Sequence, residues 1–222
     1  MCHSAAIVNA NKDMLPGACL DWFAVQRFVE VERPKAAIAW ATPDAPLVCF
    51  QDINRGKWMK DLPMRNGHLY AYVMNNYWCT NYVAGQGGDS TFRFAITSRA
   101  NSDRVASARF GAEVSNPLSA VVVDANRQGI LPDTPTSLLS VDEPGVMITG
   151  VKMPDEGRGL IVRLRETAGR VTTAHLRLHP QLAATKADTC NLVEDLQGPL
   201  EVRDQAVAVP IRGSGLATVR IE

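Results

Sequence analysis

No stretch of this sequence is long and apolar enough to span a bilayer as a helix. Its opening, MCHSAAIVNANKDMLPG, has neither the basic n-region nor the extended apolar h-region of a secretion signal, so a cytoplasmic location is expected. Charge of one sign is also missing: Lys+Arg and Asp+Glu each total 23, and no Lys/Arg run is present to track a phosphate backbone. Nucleic acid and membrane surfaces are therefore not expected as partners. The five cysteines, Cys2, Cys19, Cys49, Cys79 and Cys190, are odd in number, scattered, and free of any C-x-x-C pair. That pattern argues against a disulfide framework and against a thiolate zinc site, leaving reduced thiols that mostly fill core.

What is present is the composition of a folded globular protein, with 46% apolar and 21% charged residues over 222 positions, enough for one large domain or two small ones. Period-two alternation dominates. In TFRFAIT, Phe92, Phe94 and Ile96 share one face and Thr91, Arg93, Ala95 and Thr97 the other. VTTAHLRLH, GLIVRLRE and LATVRIE repeat the pattern through Leu176 and Leu178, through Val162 and Leu164, and through Val219 and Ile221. Further strands are predicted at 22–31, 36–42, 46–51, 68–78, 118–123, 145–152, 187–193 and 205–211, mostly separated by Gly, Pro, Asn or Asp. One helix is predicted over 103–114, capped by Asn101, Ser102 or Asp103 and stopped by SNP at 115–117. Many short strands without alternating helices make an all-β protein: an antiparallel β-sandwich followed by a smaller one, with one short helix. MPDEGRG at 153–159 interrupts two strand patterns. It divides the chain into a leader at 1–20, a large sandwich at 21–153 and a small one at 154–222, although the same residues also fit a hairpin loop inside one unit.

Complete catalytic sets are lacking. GQGGDS is followed by strand rather than helix, so a turn using Gly85, Gly87 and Gly88 is expected instead of a phosphate loop. His175 and His179 share a strand face, yet no H-E-x-x-H or His-x-Asp accompanies them, and His3 and His68 have no local partner. GSG at 213–215 is too short for a nucleophile elbow, and the acidic pairs Asp142/Glu143 and Asp155/Glu156 read as solvated turns.

The stretch YVMNNYWCTNYVAGQGGDSTFRF, residues 72–94, is less ordinary. A strand through 69–78 would put Asn75 behind Leu69, Ala71 and Val73 on one face, and Asn76 and Trp78 behind Tyr70, Tyr72 and Met74 on the other. Amides at a core boundary cost about 1–3 kcal/mol if unpaired. They either tie down neighbouring loop backbone, or line a polar cleft for sugar hydroxyls beside a flat Trp78 or Tyr77 face.

MNNYWCTNYVAGQGGDSTFRFAI resembles the Asn-Asn-x-Trp-x-Thr-Asn segment, Gln-Gly turn and Phe-Arg-Phe strand of the C-terminal region of glycoside hydrolase family 38 α-mannosidases. DWFAVQRFVEVE, AIAWATPDAPLVCFQDI, RFGAEVSNPL, GRGLIVRLRETAG and CNLVEDL are similar to other parts of that region in the same order, so the resemblance covers roughly residues 20–222. It implies a galactose-mutarotase-like supersandwich followed by the smaller sandwich. It also implies that the zinc ion, the aspartate nucleophile and the acid/base carboxylate belong to a catalytic domain outside this sequence. On that resemblance Asn75, Asn76, Trp78, Thr80, Asn81 and Gln86 face the substrate cleft or the domain interface. The implied partners are the family 38 catalytic domain, in the same or a separate chain, and a mannoside-type carbohydrate. The undocked face would expose apolar surface, from which a homo-oligomer could form. Two other functions fit the same sequence: an autonomous carbohydrate-binding sandwich, and an aldose-epimerase-like enzyme using His68 or His175 with Glu113 or Glu166.

Overall fold

Hydrophobic residues at alternate positions form short antiparallel strands in the computed structural model, which describes residues 1–3, 6–53, 58–76, 79, 81, 83–124, 129, 134–182 and 184–222. These residues fall into two compact units, Met1–Pro117 and Leu118–Glu222. In the first lie β1 (Phe23–Ala24), β2 (Phe28–Arg33), β3 (Ala36–Ala41), β4 (Leu47–Phe50), β5 (Leu69–Ala71), β6 (Ala95–Arg99) and the helix α1 (Arg104–Ser115). Two sheets form, ordered β1-β4-β5 and β2-β3-β6. Between them Phe23, Val25, Val29, Val48, Phe50 and Leu62 make a buried cluster, against which Trp40 and Leu69 pack.

The helix starts where a cap was expected: the Ala106 N–H donates to Asp103 Oδ1 at 2.9 Å. It ends before Pro117, with the Asn116 side chain donating to the Ala112 carbonyl at 2.8 Å. Its partner face is built from small residues. Cross-strand neighbours Ala39 with Thr97 and Ala41 with Ala95 continue one flat surface, and Ala37, Ala39 and Ala41 are buried. Gly111 on the helix lies against Phe28, where an added Cβ would sit 2.9 Å from a ring carbon. This close fit overturns one sequence expectation. Strand β6 begins only at Ala95, and its half-buried residues are Ala95, Thr97 and Arg99, whereas Ile96 is 70% exposed and Phe94 is exposed. The alternation was correct in period; the helix chose the small face.

The second unit contains β7 (Leu139–Val141), β8 (Val146–Lys152), β9 (Leu160–Glu166), β10 (Thr172–Leu178), β11 (Ala187–Cys190), β12 (Leu196–Leu200), β13 (Val202–Arg203), β14 (Ala206–Ile211) and β15 (Leu216–Ile221). Its sheets run β13-β14-β10-β7 and β12-β11-β15-β9-β8. Val162, Leu164, Val219 and Ile221 from one sheet and Ala174, Leu176, Val207 and Val209 from the other form a single buried core, the arrangement of a β-sandwich. The stretch 153–159 connects β8 to β9, which pair antiparallel.

Sequence and structure part elsewhere too. Of the described residues in the strand expected over 68–78, only Leu69–Ala71 form strand. Residues 118–123 form no strand, and Leu118, Val121, Val122 and Val123 are exposed, with Val122 at 100%. Conversely, β7, β12 and β13 lie outside the strands that the sequence predicts; β12 carries Gly198 and Pro199, which an edge strand tolerates because one of its sides needs no ladder partner.

Candidate functional site

The amide-rich stretch is fastened at both ends to one turn. At its start the Tyr72 N–H donates to the Leu47 carbonyl at 2.8 Å, and the Tyr72 ring meets Trp22 edge-on at 4.7 Å. At its finish Arg93 grips Asp44: the main-chain N–H and Nε reach Oδ2 at 2.7 and 2.9 Å, and Nη2 reaches Oδ1 at 2.8 Å. Asp44 and Leu47 lie three residues apart, so the stretch leaves and returns beside the same short segment. Within it Asn75, Asn76, Asn81 and Gln86 are exposed, and Asn76 Nδ2 lies 3.5 Å from Met74 Sδ. Trp78 and Thr80, with Tyr77 and Tyr82, lie outside the described residues. Strand β5 ends at Ala71, so the two-face alternation expected through Trp78 stops before the asparagines. Of the glycines expected to turn the chain, Gly88 has φ +97°, whereas Gly85 and Gly87 do not adopt positive φ.

The Asp44 carboxyl is held down to about 2, first by the Arg93 side-chain hydrogen bonds and then by the main-chain one. Because its folded value lies below the unfolded one, the grip on the loop is intact above about pH 4 and weakens as pH falls toward 2. We expect the Asp44 side-chain carboxyl resonance to titrate near 2 in the intact chain and to return to the ordinary aspartate range in Arg93→Ala; an ordinary value in the parent chain would show that the grip is not formed in solution.

The histidine sites take other partners than an epimerase would need. His175 Nδ1 lies 2.7 Å from Asp142 Oδ2, and its main-chain N–H donates to Asp142 Oδ1 at 2.8 Å, on the exposed side of β10. Desolvation pushes the Asp142 carboxyl up, but the main-chain and side-chain bonds from His175 outweigh it and leave the group below its usual range. Glu166 is buried and accepts from the Ala168, Gly169 and Ser214 N–H groups. It is a loop clamp. Glu113 is exposed on α1, and His68 Nδ1 lies 3.4 Å from the Tyr70 hydroxyl. His179 Nδ1 accepts from the Gln181 N–H at 3.3 Å. Among the described residues no three His, Cys, Asp or Glu side chains converge, so they do not make the tetrahedral donor set that zinc requires. Among them, too, no helix is long and apolar enough to cross a membrane.

Sequence reasoning overlooked a concavity of the first unit. A groove of about 880 Å³ is bordered by residues 7–13, by β2 and by the 64–69 segment. Glu30 lies in its wall with a side chain 12% exposed, held by Arg99 Nη1 at 3.1 Å and by the Ser102 and Ser107 hydroxyls. A second cavity of about 410 Å³ shares Ala10 and Asn11 with the groove and is lined by Trp58, Lys60 and Asp61. The only trace in the sequence is a glutamate alternating with valines in FVEVER, a pattern shared by any half-wet strand.

A family model described as the glycosyl hydrolases family 38 C-terminal beta sandwich domain matches residues 145–219, within the second unit. Among solved structures, the fold resembles an α-mannosidase from Enterococcus faecalis V583, with TM-score 0.59 and 17% identity over 91% of this chain and 21% of that one. It also resembles a protein in the glycosyl hydrolase family 38 from Enterococcus faecalis, with TM-score 0.59 and 16% identity over 91% of this chain and 23% of the other. At such identities the likeness is one of fold. The chain spans 21% and 23% of the length of these two proteins. No curated protein matches it.

Proposed function

We propose, from the premise that residues 145–219 are a C-terminal β-sandwich domain of glycosyl hydrolase family 38, that the chain is the non-catalytic C-terminal region of an α-mannosidase-like enzyme. The family match carries this reading. A catalytic domain of the same family, in this polypeptide or a separate one, is the partner it requires, and zinc belongs to that domain. Retaining hydrolysis of a mannoside needs a carboxylate pair flanking the glycosidic bond, here with a metal at the sugar hydroxyls, and this reading assigns both to the partner domain.

The role left to this chain is to wall the substrate cleft and support the domain that cuts. The loop closed by Tyr72 and Arg93 supports it: an exposed run of amides on a segment fixed at both ends can present hydrogen-bonding groups in one place. Asn75, Asn76, Trp78, Thr80, Asn81 and Gln86 are the residues proposed for the cleft or the domain contact. Exposed Ile96 and Phe94 on one unit, and Val121 to Val123 on the other, supply apolar surface for such a contact, or for self-association of the chain alone in the cytoplasm.

The test is hydrolysis of an aryl α-mannoside by the purified chain with added zinc or cobalt, alongside elemental analysis, repeated after mixing with a separately produced family 38 catalytic domain. The chain alone is expected to give no turnover and no stoichiometric metal, and to co-elute with the catalytic domain in gel filtration. Turnover by the isolated chain with one bound metal would overturn the reading.

A further inference from the structure

The two adjoining cavities of the first unit form a built site rather than an accidental recess. The wall of the groove is fixed by hydrogen bonds that do not depend on a ligand. Gln51, whose φ of +72° places a non-glycine residue in the left-handed region, clamps the 65–68 segment. Its Nε2 donates to the Asn66 carbonyl at 2.5 Å, while its Oε1 accepts from the Asn66 N–H at 2.8 Å and from the Arg65 N–H. Asn66 Oδ1 then accepts from the His68 N–H at 2.9 Å. A strained residue held by several bonds recurs where a surface must keep one shape. Across the groove Glu30 is fixed by Arg99, Ser102 and Ser107. A pre-formed wall of this kind lowers the ordering cost of binding.

The lining identifies the ligand chemistry. Phe28, Val29, Phe50 and Leu69 give an apolar floor, while Glu30, Arg33, Arg65, Asn66 and His68 give donors and acceptors of both signs, so a strongly anionic or cationic ligand gains little. In the adjoining cavity Trp58 is 66% exposed, beside Lys60 and Asp61. A flat aromatic face next to a carboxylate and an ammonium matches a pyranose ring, which has an apolar C–H face and an equatorial belt of hydroxyls. Ala10 and Asn11 border both cavities, so one extended ligand can reach across.

We propose that this groove and the Trp58 cavity together bind a neutral oligosaccharide, with one sugar stacked on Trp58 and the next units held between Glu30 and the 65–68 segment. This site is separate in sequence from the 72–93 loop, and it rests on the mannosidase reading only for the choice of probe.

The experiment is calorimetric titration of the intact chain with an α-linked mannotriose and, separately, with cellotriose, using the parent, Trp58→Ala, Arg65→Ala, Asn76→Ala and, as the control in the second unit, His179→Ala, each checked for native circular dichroism. Saturable binding that weakens about tenfold or more in both Trp58→Ala and Arg65→Ala, and is unchanged in His179→Ala, is the expected result. Absence of saturable binding to either sugar, or binding that both variants leave intact, overturns the proposal. Loss in Asn76→Ala alone also overturns it and moves the site to the loop. Binding of cellotriose but not mannotriose, with the same loss at Trp58 and Arg65, sustains the groove while counting against an α-mannosidase assignment.

Discussion

Glu166→Ala is expected to destabilise the second unit by about 3 kcal/mol, lowering its Tm by about 10 °C or more. The carboxylate is 1% exposed and receives three main-chain donors: the Ala168 N–H at 2.6 Å, the Gly169 N–H at 2.8 Å and the Ser214 N–H at 2.7 Å. Hydrogen bonds to a charged acceptor contribute about 1.5–3 kcal/mol each, and they are not additive around one carboxylate. Truncation leaves three N–H groups with no acceptor in a place where water has little access. These donors come from two turns that touch backbone to backbone: a Cβ on Gly213 would lie 2.8 Å from the Gly169 carbonyl oxygen, so the 166–170 and 212–215 turns cannot drift apart and refill the space with a side chain. Glu166→Gln keeps one acceptor oxygen and faces its amide against an N–H, so it should lose less than alanine and more than an exposed substitution. The measurement is urea unfolding followed by far-ultraviolet circular dichroism and, for the two units separately, by amide hydrogen exchange. A loss below about 1 kcal/mol in Glu166→Ala would show that solvent replaces the carboxylate and that the clamp is not structural.

The behaviour of Glu166 also shows what alternation can and cannot tell. In GLIVRLRE the glutamate falls on the same buried face as Val162 and Leu164, which the two-residue period gives directly, but burial alone does not say whether a carboxylate is an acid, a ligand or a clamp. Only the convergence of two turns distant in sequence answers that. Leu176, Leu178, Val219 and Ile221 were legible as core because a sandwich strand must bury one face, and all four are buried. Phe94 and Ile96 misled for the same reason in reverse. They are the larger side chains of their strand, but α1 needs the small Ala37, Ala39 and Ala41 surface to approach, and a helix's docking preference is not written in the strand. Segments 68–78 and 118–123 have strand composition, yet a strand exists only when another edge receives its backbone groups, and that partner is non-local. Asn75, Asn76, Asn81 and Gln86 stood out in the sequence by residue type, whereas the groove beside Glu30 did not, because its walls come from residues 7–13, β2 and the 64–69 segment.

In the first unit, Arg99→Ala is expected to cost about 2–3 kcal/mol, at or just below the range for breaking a buried ion pair, since both side chains retain some access to water. Arg99 Nη1 lies 3.1 Å from Glu30 Oε2 and donates to Ser107 Oγ at 2.5 Å, with the two charged side chains 22% and 12% exposed. Ser107 is fully buried and its hydroxyl donates a hydrogen bond to Glu30 Oε2, so the strand β6 arginine, the β2 glutamate and the α1 serine form one closed set. Removing the guanidinium leaves the carboxylate with two hydroxyl donors and no counter-charge, and it releases the helix from the sheet at the point where Gly111 and Phe28 already fit without slack. If the loss comes from the stranded charge, neutralising Glu30 should recover part of it: Glu30→Gln with Arg99→Met is expected to be more stable than the sum of the single changes by about 1 kcal/mol or more. Additivity within about 0.5 kcal/mol would instead mean that Arg99 acts through the packing of its alkyl stem on the alanine face. The two outcomes also differ at the groove. A stranded charge lets Glu30 swing toward water and alter the wall, whereas lost stem packing loosens α1 and leaves the Glu30 contacts with Ser102 and Ser107 in place.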